Sequence, residues 1–376
     1  MATRGRSIVR ALCLLAFLSS AAFAVAANVN LSLDLLTHGF ASAGFKVKSV
    51  GQIDLSVDGG YKFGGLIGFS LQEDTTGAGL EAASASLDFN RVNVSIRDVF
   101  GLPVDFSFFI GANDILCRGD AFPVVFGTVP ISTDYRGLMY FPDMTLDSVY
   151  NGGIHAIRGT GLRLDVSPKR ETMRFSLYGY EDTAVGFPGV LGNFSGDLRF
   201  LGNFGALAVE GFAGATYAPA SAYGYYRGGF MLHAQGEKLE VLAQVGIPKY
   251  NPSTSFGLDL FYILFEPSLH LGLFSIVPTF FVHPAAYLQQ DNPGERGAFD
   301  VNLNMYFGDL VKTSFRAGME GNFTIQLSTG VFEVNAAPYV GFATPGVLWT
   351  VRVNARLWPF GWSDMFDGFV GLRAEI

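Results

Sequence analysis

The stretch AFDVNLNMYF, residues 298–307, sets apolar and polar side chains strictly in turn. Successive side chains of a β-strand point to opposite faces, so this segment predicts a strand with one apolar and one polar face. The alternation returns in 311–320, 347–357 and 370–376. Such segments run about nine to twelve residues, whereas a soluble strand is typically nearer five or six and a tilted membrane-spanning strand needs roughly nine to eleven. Their length favours a membrane barrel.

The composition also separates this chain from ordinary soluble proteins. It has 47 Gly and 36 Phe among 376 residues, 49% hydrophobic residues and only 15% charged ones. Charged residues usually make up about a quarter of a soluble domain. The most apolar region, 256–288, is interrupted by Asp259, Glu266 and His270, so no run of about eighteen uncharged apolar residues is left for a membrane helix. High hydropathy without helical spans is typical of a transmembrane β-barrel.

Residues 1–27 predict a secretory signal peptide. Three arginines within the first ten residues precede a short apolar run at 11–17. Cleavage is expected at one of three small residues: Ala24, Ala26 or Ala27. A retained membrane anchor is the alternative, which the shortness of the apolar run disfavours.

The mature chain is acidic and holds one cysteine. Removing residues 1–27 takes away three Arg and no acid, so a formal net charge of −8 becomes −11. This charge argues against nucleic acid as a partner and does not select a substrate. Only Cys117 remains, so an internal disulfide is excluded.

Turn signals divide the rest of the chain into further strands. Asp58 to Gly60 predict a tight hairpin, and Gly159 to Gly161 predict a β-bulge. Residues 28–36 are either a first strand or a lead-in, and 269–282 are either one strand interrupted at Pro278 or two short strands. The connections carry turn residues, so neighbouring strands are expected to be antiparallel.

The predicted fold class is therefore all-β: an antiparallel transmembrane β-barrel of about 16–18 strands, formed by residues 28–376 as a single domain. Lipid offers no hydrogen-bond partners, so a sheet crosses it only when every strand is paired and no edge remains. A barrel this wide has a lumen that its own side chains do not fill. A soluble periplasmic β-sandwich that binds a ligand is a further alternative.

Residues 113–153 break the pattern, because alternation fails and turn residues accumulate there. Loops longer than about fifteen residues are usually functional or disordered. The aromatic residues of this loop favour an ordered one. Folded into the lumen, it would form a constriction from charged side chains: Asp114, Arg118, Asp120, Asp134 and Arg136. Packing over the rim is the equal alternative.

The chain resembles bacterial outer-membrane β-barrel proteins of the porin-like kind, through its signal peptide, repeated amphipathic hairpins and terminal strand. Residues 152–162 (GGIHAIRGTGL) resemble uncharacterised spirochaetal outer-membrane proteins. The resemblance implies an outer-membrane location, contact with outer-membrane lipid, and insertion by the barrel-assembly machinery. Such barrels usually end in an aromatic residue, and this one ends in Ile376.

Charges on the predicted polar face are the candidate pore-lining residues: Arg158, Arg163, Arg174, Arg199, Arg316, Glu320, Arg352 and Arg356. Basic and acidic groups that face each other across a pore favour particular solutes. The alternative is a ladder of ion pairs between neighbouring strands.

No catalytic or metal-binding pattern stands out. The five histidines are scattered, without a His-Glu-x-x-His motif or a thiol cluster, so no metal, cofactor or enzymatic activity is predicted. The leading hypothesis is a porin-like channel for passive diffusion of small hydrophilic solutes. A barrel plugged by its long loop, with a structural or adhesive role, is the alternative.

Overall fold

The computed structural model describes residues 28–41, 45–60, 62–74, 84–135, 152–182, 192–217, 224–284, 286–287, 290–291, 297–310, 312–327, 329–361 and 365–375. Its strands are β1 (Asn28–Ala41), β2 (Phe45–Gly59), β3 (Phe63–Asp74), β4 (Ser84–Ile96), β5 (Val104–Leu116), β6 (His155–Lys169), β7 (Met173–Asp182), β8 (Phe194–Asn203), β9 (Leu207–Tyr217), β10 (Tyr225–Gln235), β11 (Leu239–Tyr250), β12 (Tyr262–Leu271), β13 (Phe274–His283), β14 (Ala286–Tyr287), β15 (Gln290–Asp291), β16 (Ala298–Asp309), β17 (Phe315–Gln326), β18 (Phe332–Thr344), β19 (Val347–Trp358) and β20 (Phe366–Glu375). Its helices are α1 (Ala121–Phe126) and two 3-10 turns, Val99–Gly101 and Leu258–Leu260.

Eighteen of the described strands form one closed antiparallel sheet. Each strand pairs with the next along the chain, and β1 pairs with β20, which closes the ring. Strands β14 and β15 form a separate short hairpin within one connection. Closure pairs the backbone groups around the whole ring. The predicted antiparallel barrel is confirmed at eighteen strands, and the β-sandwich alternative is wrong because there is one closed sheet instead of two packed sheets.

The outer face of the barrel is apolar and the inner face is polar. In β16, Leu303 and Phe307 point outward and are 40% and 55% exposed, whereas Asp300, Asn302 and Asn304 point inward and are buried. The other barrel strands repeat this alternation, which follows directly from the two-residue period of a strand. The apolar exterior is the surface that a bilayer would cover.

The two ends of the barrel differ in their connections. At one end the chain returns through turns of two to seven residues, such as 236–238, 272–273 and 345–346. At the other end the connections reach 38 residues, between β5 and β6. We call these the short-turn end and the long-loop end.

A turn at Gly272, and not an interruption at Pro278, divides 269–282. Gly272 has a φ of +70° and joins β12 to β13, so Pro278 lies inside a strand. By the strand register, Pro278 faces Pro267, and the β12–β13 pairing is interrupted there. Proline lacks the N–H that backbone pairing between strands needs. Because the two prolines face each other, the lost hydrogen bonds are confined to one gap in the β12–β13 pairing.

Other local predictions have mixed outcomes. Residues 28–36 belong to strand β1 and are not a lead-in. Strand β18 was not among the segments that the alternation predicts. The bulge predicted at 159–161 falls on the partner strand, where the β5–β6 register shifts between Ala112 and Asp114. The signal peptide predicted for 1–27 lies outside the described residues.

Candidate functional site

Strands β5 and β6 leave the barrel wall near the long-loop end. Among the described residues, β5 pairs with β4 only as far as Gly111, and β6 pairs with β7 only as far as Gly159. Beyond these points, residues 112–116 and 155–158 pair only with each other. We call this two-stranded segment the inward arm, and the connection 117–154 that it carries the long loop.

Both departure points require glycine. Gly111 has a φ of +85° and Gly159 a φ of +151°. A Cβ atom at Gly111 would lie 1.9 Å from the carbonyl oxygen of Asn90, and one at Gly159 would lie 1.8 Å from that of Glu181. Only a residue without a side chain permits this backbone conformation and this approach. The two glycines therefore let the arm turn away from its neighbouring strands.

Asp114 holds the root of the arm against the wall. Its carboxylate accepts hydrogen bonds from Arg163 Nη1 and Tyr178 Oη, both at 2.8 Å, and lies 3.6 Å from Arg199 Nη1. Arg163 also reaches Asp165 at 2.9 Å. Hydrogen bonds between charged groups are roughly twice as strong as neutral ones. Inward side chains of β6, β7 and β8 thus fix the arm.

Glu210 and Gln244 hold the backbone where the arm enters the long loop. Glu210 Oε1 accepts the Cys117 N–H at 2.6 Å, and Gln244 Nε2 donates to the Cys117 carbonyl at 2.6 Å. Arg199 Nε lies 2.8 Å from the same Glu210 oxygen. An unsatisfied buried donor or acceptor costs about 1–3 kcal/mol, so the wall stabilises this backbone position by pairing both of its groups.

Glu266 anchors the far part of the described loop. Its carboxylate accepts hydrogen bonds from Thr133 Oγ1 at 2.6 Å, the Asp134 N–H at 2.8 Å and Thr279 Oγ1 at 2.7 Å. The Asp134 carboxylate lies 3.9 Å from Arg316 Nη1. Through these contacts the loop reaches β12, β13 and β17, six or more strands from β6, where the arm leaves the wall.

A second buried network secures the return strand of the arm. His155 Nε2 lies 3.3 Å from Tyr180 Oη, which donates to Asp197 at 2.9 Å. Arg227 donates to both oxygens of Asp197, at 2.6 and 2.7 Å, and to Thr216 Oγ1 at 2.5 Å. The carboxylate is thereby neutralised and hydrogen-bonded, which a buried charge requires.

Apolar contacts complete the attachment. Ile154 Cδ1 lies against Gly229 and Gly246 of the wall. If either glycine had a Cβ atom, that atom would lie 2.8 Å (Gly229) or 3.0 Å (Gly246) from Ile154 Cδ1, which is too close. The missing side chains leave the space that Ile154 fills. The buried cluster around the arm, loop and wall includes Phe109, Leu116, Phe122, Ile131, Tyr135, Ile157, Met231, Leu242, Tyr262, Leu264 and Phe281. The described loop therefore lies inside the barrel, against the wall from β7 to β13.

A cavity of about 570 Å³ lies on the opposite side of the arm, between the arm and strands β2 to β4. The strand side presents hydrogen-bonding groups: Gln52, Ser70, Gln72, Asn90 and Arg91. The arm and α1 present mainly apolar ones: Ala112, Ile115, Ala121, Val124, Val125 and Ala156. Asn113, Asp114, Arg118, Asp120 and Arg158 also line the arm side, so charged and apolar groups are mixed there.

The arginines of this cavity differ in their partners. Three of them contact a carboxylate: Arg91 with Asp54 at 2.6 Å, Arg118 with Asp120, and Arg163 with Asp114. The fourth, Arg158, is exposed and makes no hydrogen bond or ion pair with any described residue. The register shift between Ala112 and Asp114 sets Arg158 opposite Ala112 and Asp114 opposite Ile157, so Arg158 and Asp114 lie on different faces of the arm.

Most of the other predicted pore-lining charges point inward and are paired. Arg352 lies 2.5 Å from Glu320, and Arg174 lies 2.7 Å from Asp165. Arg316 stacks over the Tyr306 ring at 4.3 Å. Arg199 is fully buried beneath the arm, and Arg356 is half-buried on β19. Arg174 and Asp165 lie on the adjacent strands β7 and β6, as in the ladder of ion pairs, whereas the Arg352–Glu320 pair joins β19 to β17 across β18.

Of the five predicted constriction residues, Arg136 lies outside the described part of the chain. Burial raises the pKa of the Cys117 thiol well above its usual value. Within the described ranges, no three potential metal-binding side chains lie together. No helix in the same ranges is long and apolar enough to cross a bilayer.

Sequence reasoning missed the acids that hold the arm and loop: Asp197, Glu210 and Glu266. Each occupies an inward position of an alternating strand, so the strand period indicates its face. The strand period does not identify the hydrogen-bond partner of each acid, because Cys117 is 93 residues from Glu210 and Thr133 is 133 residues from Glu266. No local signal marks contacts of that separation.

The closed wide barrel, its polar interior and the loop packed inside it together define the porin-like class of fold. Among solved structures, the chain is similar to Pseudomonas aeruginosa OccK2 (OpdF) in complex with glucuronate, with a TM-score of 0.56 at 10% sequence identity, over 93% of this chain and 98% of that one. It is similar to Pseudomonas aeruginosa OprD, with a TM-score of 0.55 at 7% identity, covering 93% and 95% of the two chains.

A third similar structure is the outer membrane protein opdK of Pseudomonas aeruginosa, with a TM-score of 0.55 at 9% identity, over 93% of this chain and 98% of that one. No protein-family model matches the chain, and no curated protein matches it. At these identities the similarity shows the fold, which is that of bacterial outer-membrane porins.

Proposed function

We propose that residues 28–376 form an outer-membrane channel through which small hydrophilic solutes diffuse passively. The observation that carries the proposal is the one-sided filling of the lumen. The arm and described loop pack against β7 to β13, while a cavity of about 570 Å³ lies beside β2 to β4. Most inward side chains of the remaining wall are polar, with Leu36 and Phe369 among the apolar exceptions, and a path for hydrated solutes requires such a polar lining.

In this proposal the loop narrows the channel without moving during transport. Asp114, Glu210 and Glu266 tie it to the wall at its root, entry and far part. Asp114, Arg118, Asp120 and Asp134 then belong to a constriction, and Arg158 belongs to the pore lining. Fixed charges at a constriction favour some solutes over others.

Planar-bilayer recording on refolded residues 28–376 tests the proposal. Discrete conductance steps support it, and an intact barrel without conductance removes it. Replacing 118–152 by a short Gly-Ser linker should raise the conductance of each step, because the lumen is then wider. A silent natural chain combined with a conducting shortened variant supports the other candidate, a plugged barrel with a structural or adhesive role. The buried cluster within the lumen favours that candidate.

The cellular part of the proposal follows from the fold and the N-terminal sequence. Residues 1–27 act as a signal peptide, the barrel-assembly machinery inserts the mature chain, and outer-membrane lipid covers its apolar face. The resemblance of residues 152–162 to spirochaetal outer-membrane proteins predicts that the protein comes from a spirochaete. N-terminal sequencing of protein from the outer-membrane fraction should give a start near residue 28; a start at Met1 contradicts this part alone.

A further inference from the structure

We infer that the wall of the barrel is open sideways where the inward arm leaves it, and that the head group of a membrane lipid occupies this opening. We call the opening the wall gap; it is bounded by β4 residues 84–90 on one side and by Gly111 and Gly159 at its base. The head group that fits it is neutral and rich in hydroxyl groups. This inference rests on the proposed membrane location of the barrel and does not require conductance.

The first observation is an unpaired strand edge. Strand β4 pairs with β5 from Ile96 to Arg91, and β5 turns inward after Gly111. Beyond that level, residues 84–89 pair with β3, and no other described strand pairs with them. Alternate residues of an antiparallel strand direct their N–H and C=O groups to the same neighbour, so half of these groups face the wall gap. The ring of paired strands is therefore complete below this level and interrupted at it.

The wall gap lies in the part of the barrel that lipid would cover. On the outer face of β4, Leu87 and Phe89 are 56% and 51% exposed and continue the apolar line of Val92, Val94 and Ile96. From Ile96 to Leu87 this line spans roughly 20 Å at a strand tilt of about 40°, which falls within the apolar band of about 25 Å that such barrels present to lipid. Leu87 and Phe89 therefore lie near the long-loop edge of the band, where lipid head groups begin.

Backbone groups at this depth need polar partners. Hydrocarbon supplies none, so an unpaired N–H or C=O is tolerated in a membrane only where protein or a polar medium reaches it. Both faces of the unpaired edge are uncovered, because Ser86 and Asp88 on the inner face are exposed as well as Leu87 and Phe89 on the outer one. A lipid can place its head group in the wall gap while its acyl chains remain against the apolar outer face.

The side chains around the wall gap favour hydroxyl groups. Ser86 and Asp88 pair with Gln72 and Ser70 of β3, which line the adjoining cavity together with Asn90. Amide and hydroxyl side chains both donate and accept hydrogen bonds, and so does the free edge of β4. The hydroxyls of a sugar also do both. A choline head group has no donor and would leave the free C=O groups unpaired.

The charges beside the wall gap do not require an ionic head group. Arg91, Arg118 and Arg163 each contact a carboxylate that compensates them. Arg158 on the arm and Asp88 on β4 make no ion pair with any described residue, and their charges have opposite sign. The surroundings are therefore neutral overall, and a neutral head group with several hydroxyls matches them.

Native mass spectrometry tests the inference by counting the lipids that stay on the barrel after its detergent is removed. The barrel is released from micelles that hold equal amounts of a dioleoyl monoglucosyl glycerolipid and dioleoyl phosphatidylcholine, which share their acyl chains. We expect one glucosyl lipid on each barrel, retained at least tenfold over phosphatidylcholine. Equal retention of the two lipids, or retention of neither, overturns the inference.

Two cysteine variants modified with pyrene maleimide locate the site. The label on Asp88→Cys fills the wall gap and should lower retention of the glucosyl lipid at least tenfold. The label on Asn335→Cys, at an inward position of β18 where both edges of the strand are paired, should lower it less than twofold. Equal losses contradict a site at the wall gap. Both proteins are first checked for a single label by mass and for the folded band on unheated gels.

A competition experiment separates a lipid from a free sugar. Methyl glucoside in hundredfold molar excess should leave the glucosyl lipid in place, because the acyl chains hold it against the outer face. Displacement of the lipid would mean that the barrel binds the sugar alone, and it would remove the lipid from the inference.

Bilayer recording separates this inference from the channel proposal. A barrel that retains the glucosyl lipid selectively but does not conduct keeps the lipid site and removes the channel. A barrel that conducts, yet retains both lipids equally, keeps the channel and removes the lipid site.

Discussion

The buried pair of Arg199 and Glu210 gives a sharp test of how the long loop is held. Arg199 Nε lies 2.8 Å from Glu210 Oε1, and both side chains are almost completely buried. Replacing Glu210 by Gln keeps the size of the side chain and leaves an oxygen to accept the Cys117 N–H. The change therefore removes a charge and little else.

The expected cost follows from the geometry. At an effective dielectric constant of about 20, unit charges 2.8 Å apart attract by about 6 kcal/mol. Part of this lost attraction is offset, because the variant takes one charge fewer out of water on folding. Removing one partner of a buried ion pair typically costs about 3–5 kcal/mol of stability. Asp114 remains 3.6 Å from Arg199 and keeps part of the compensation. We expect Glu210→Gln to lower the free energy of unfolding by about 3 kcal/mol.

Urea unfolding of the barrel in lipid vesicles, followed by tryptophan fluorescence, measures this change. Glu333→Gln is the matched control, because Glu333 is an inward carboxylate on β18 without a hydrogen bond or ion pair to any described residue. It should change the free energy by less than about 0.5 kcal/mol. A Glu210→Gln protein as stable as the Glu333→Gln protein would refute the reasoning.

A double variant separates the pair from the rest of the network. Replacing Arg199 by Met together with Glu210 by Gln removes both charges and leaves an oxygen to accept the Cys117 N–H. Because a buried ion pair exchanged for uncharged residues of similar volume is often neutral or stabilising, the double variant should be more stable than Glu210→Gln. A loss equal to the sum of the single changes would mean that the two charges act independently.

Three further outcomes are expected. Gly111→Ala should sharply reduce the yield of folded barrel, because Gly111 has a φ of +85° and the Asn90 carbonyl blocks its Cβ position. Gly179→Ala, with open space at the Cβ position, should fold normally, and the folded band on unheated gels compares the two variants. Cys117 should resist a methanethiosulfonate reagent from pH 7 to 9. Its raised pKa keeps the thiol protonated over this range, in which an exposed thiol ionises, and rapid labelling of the folded barrel would contradict the expectation. Val351→Arg should lower the free energy of unfolding in vesicles by about 2–4 kcal/mol, and Asn335→Arg, at an inward half-buried position, should lower it less; the reverse order would invert the assigned faces.

The sequence predicts the barrel where side chains alternate cleanly and fails where they do not. In β16 every second residue is large and apolar, so both the strand and its faces are evident. In β18, Ala336, Ala337 and Pro338 weaken the contrast between the faces, although the strand is thirteen residues long. Propensity is weak there, and pairing with β17 and β19 fixes the strand.

The candidate site was harder to predict, because it depends on the arm leaving the wall. An uninterrupted strand period assigns Arg158 and Arg163 to opposite faces, and only the bulge predicted at 159–161 allows both on the polar face. In the structure the bulge lies on β5, and two glycines let the segment turn inward, which exposes Arg158 to the cavity. Gly159 is visible in the sequence, but nothing local shows that Gly111 lies beside it in the fold.

The difference between the two barrel ends bears on how the protein enters a membrane. Besides the long loop, whose described part lies in the lumen, connections of up to 14 residues would have to cross the hydrocarbon region if the long-loop end entered first, whereas turns of two to seven residues cross at far smaller cost. Barrels added to one side of a bilayer should therefore all insert in the same orientation, with the short-turn end entering first. Any rectification of the current should then keep its sign from one insertion event to the next.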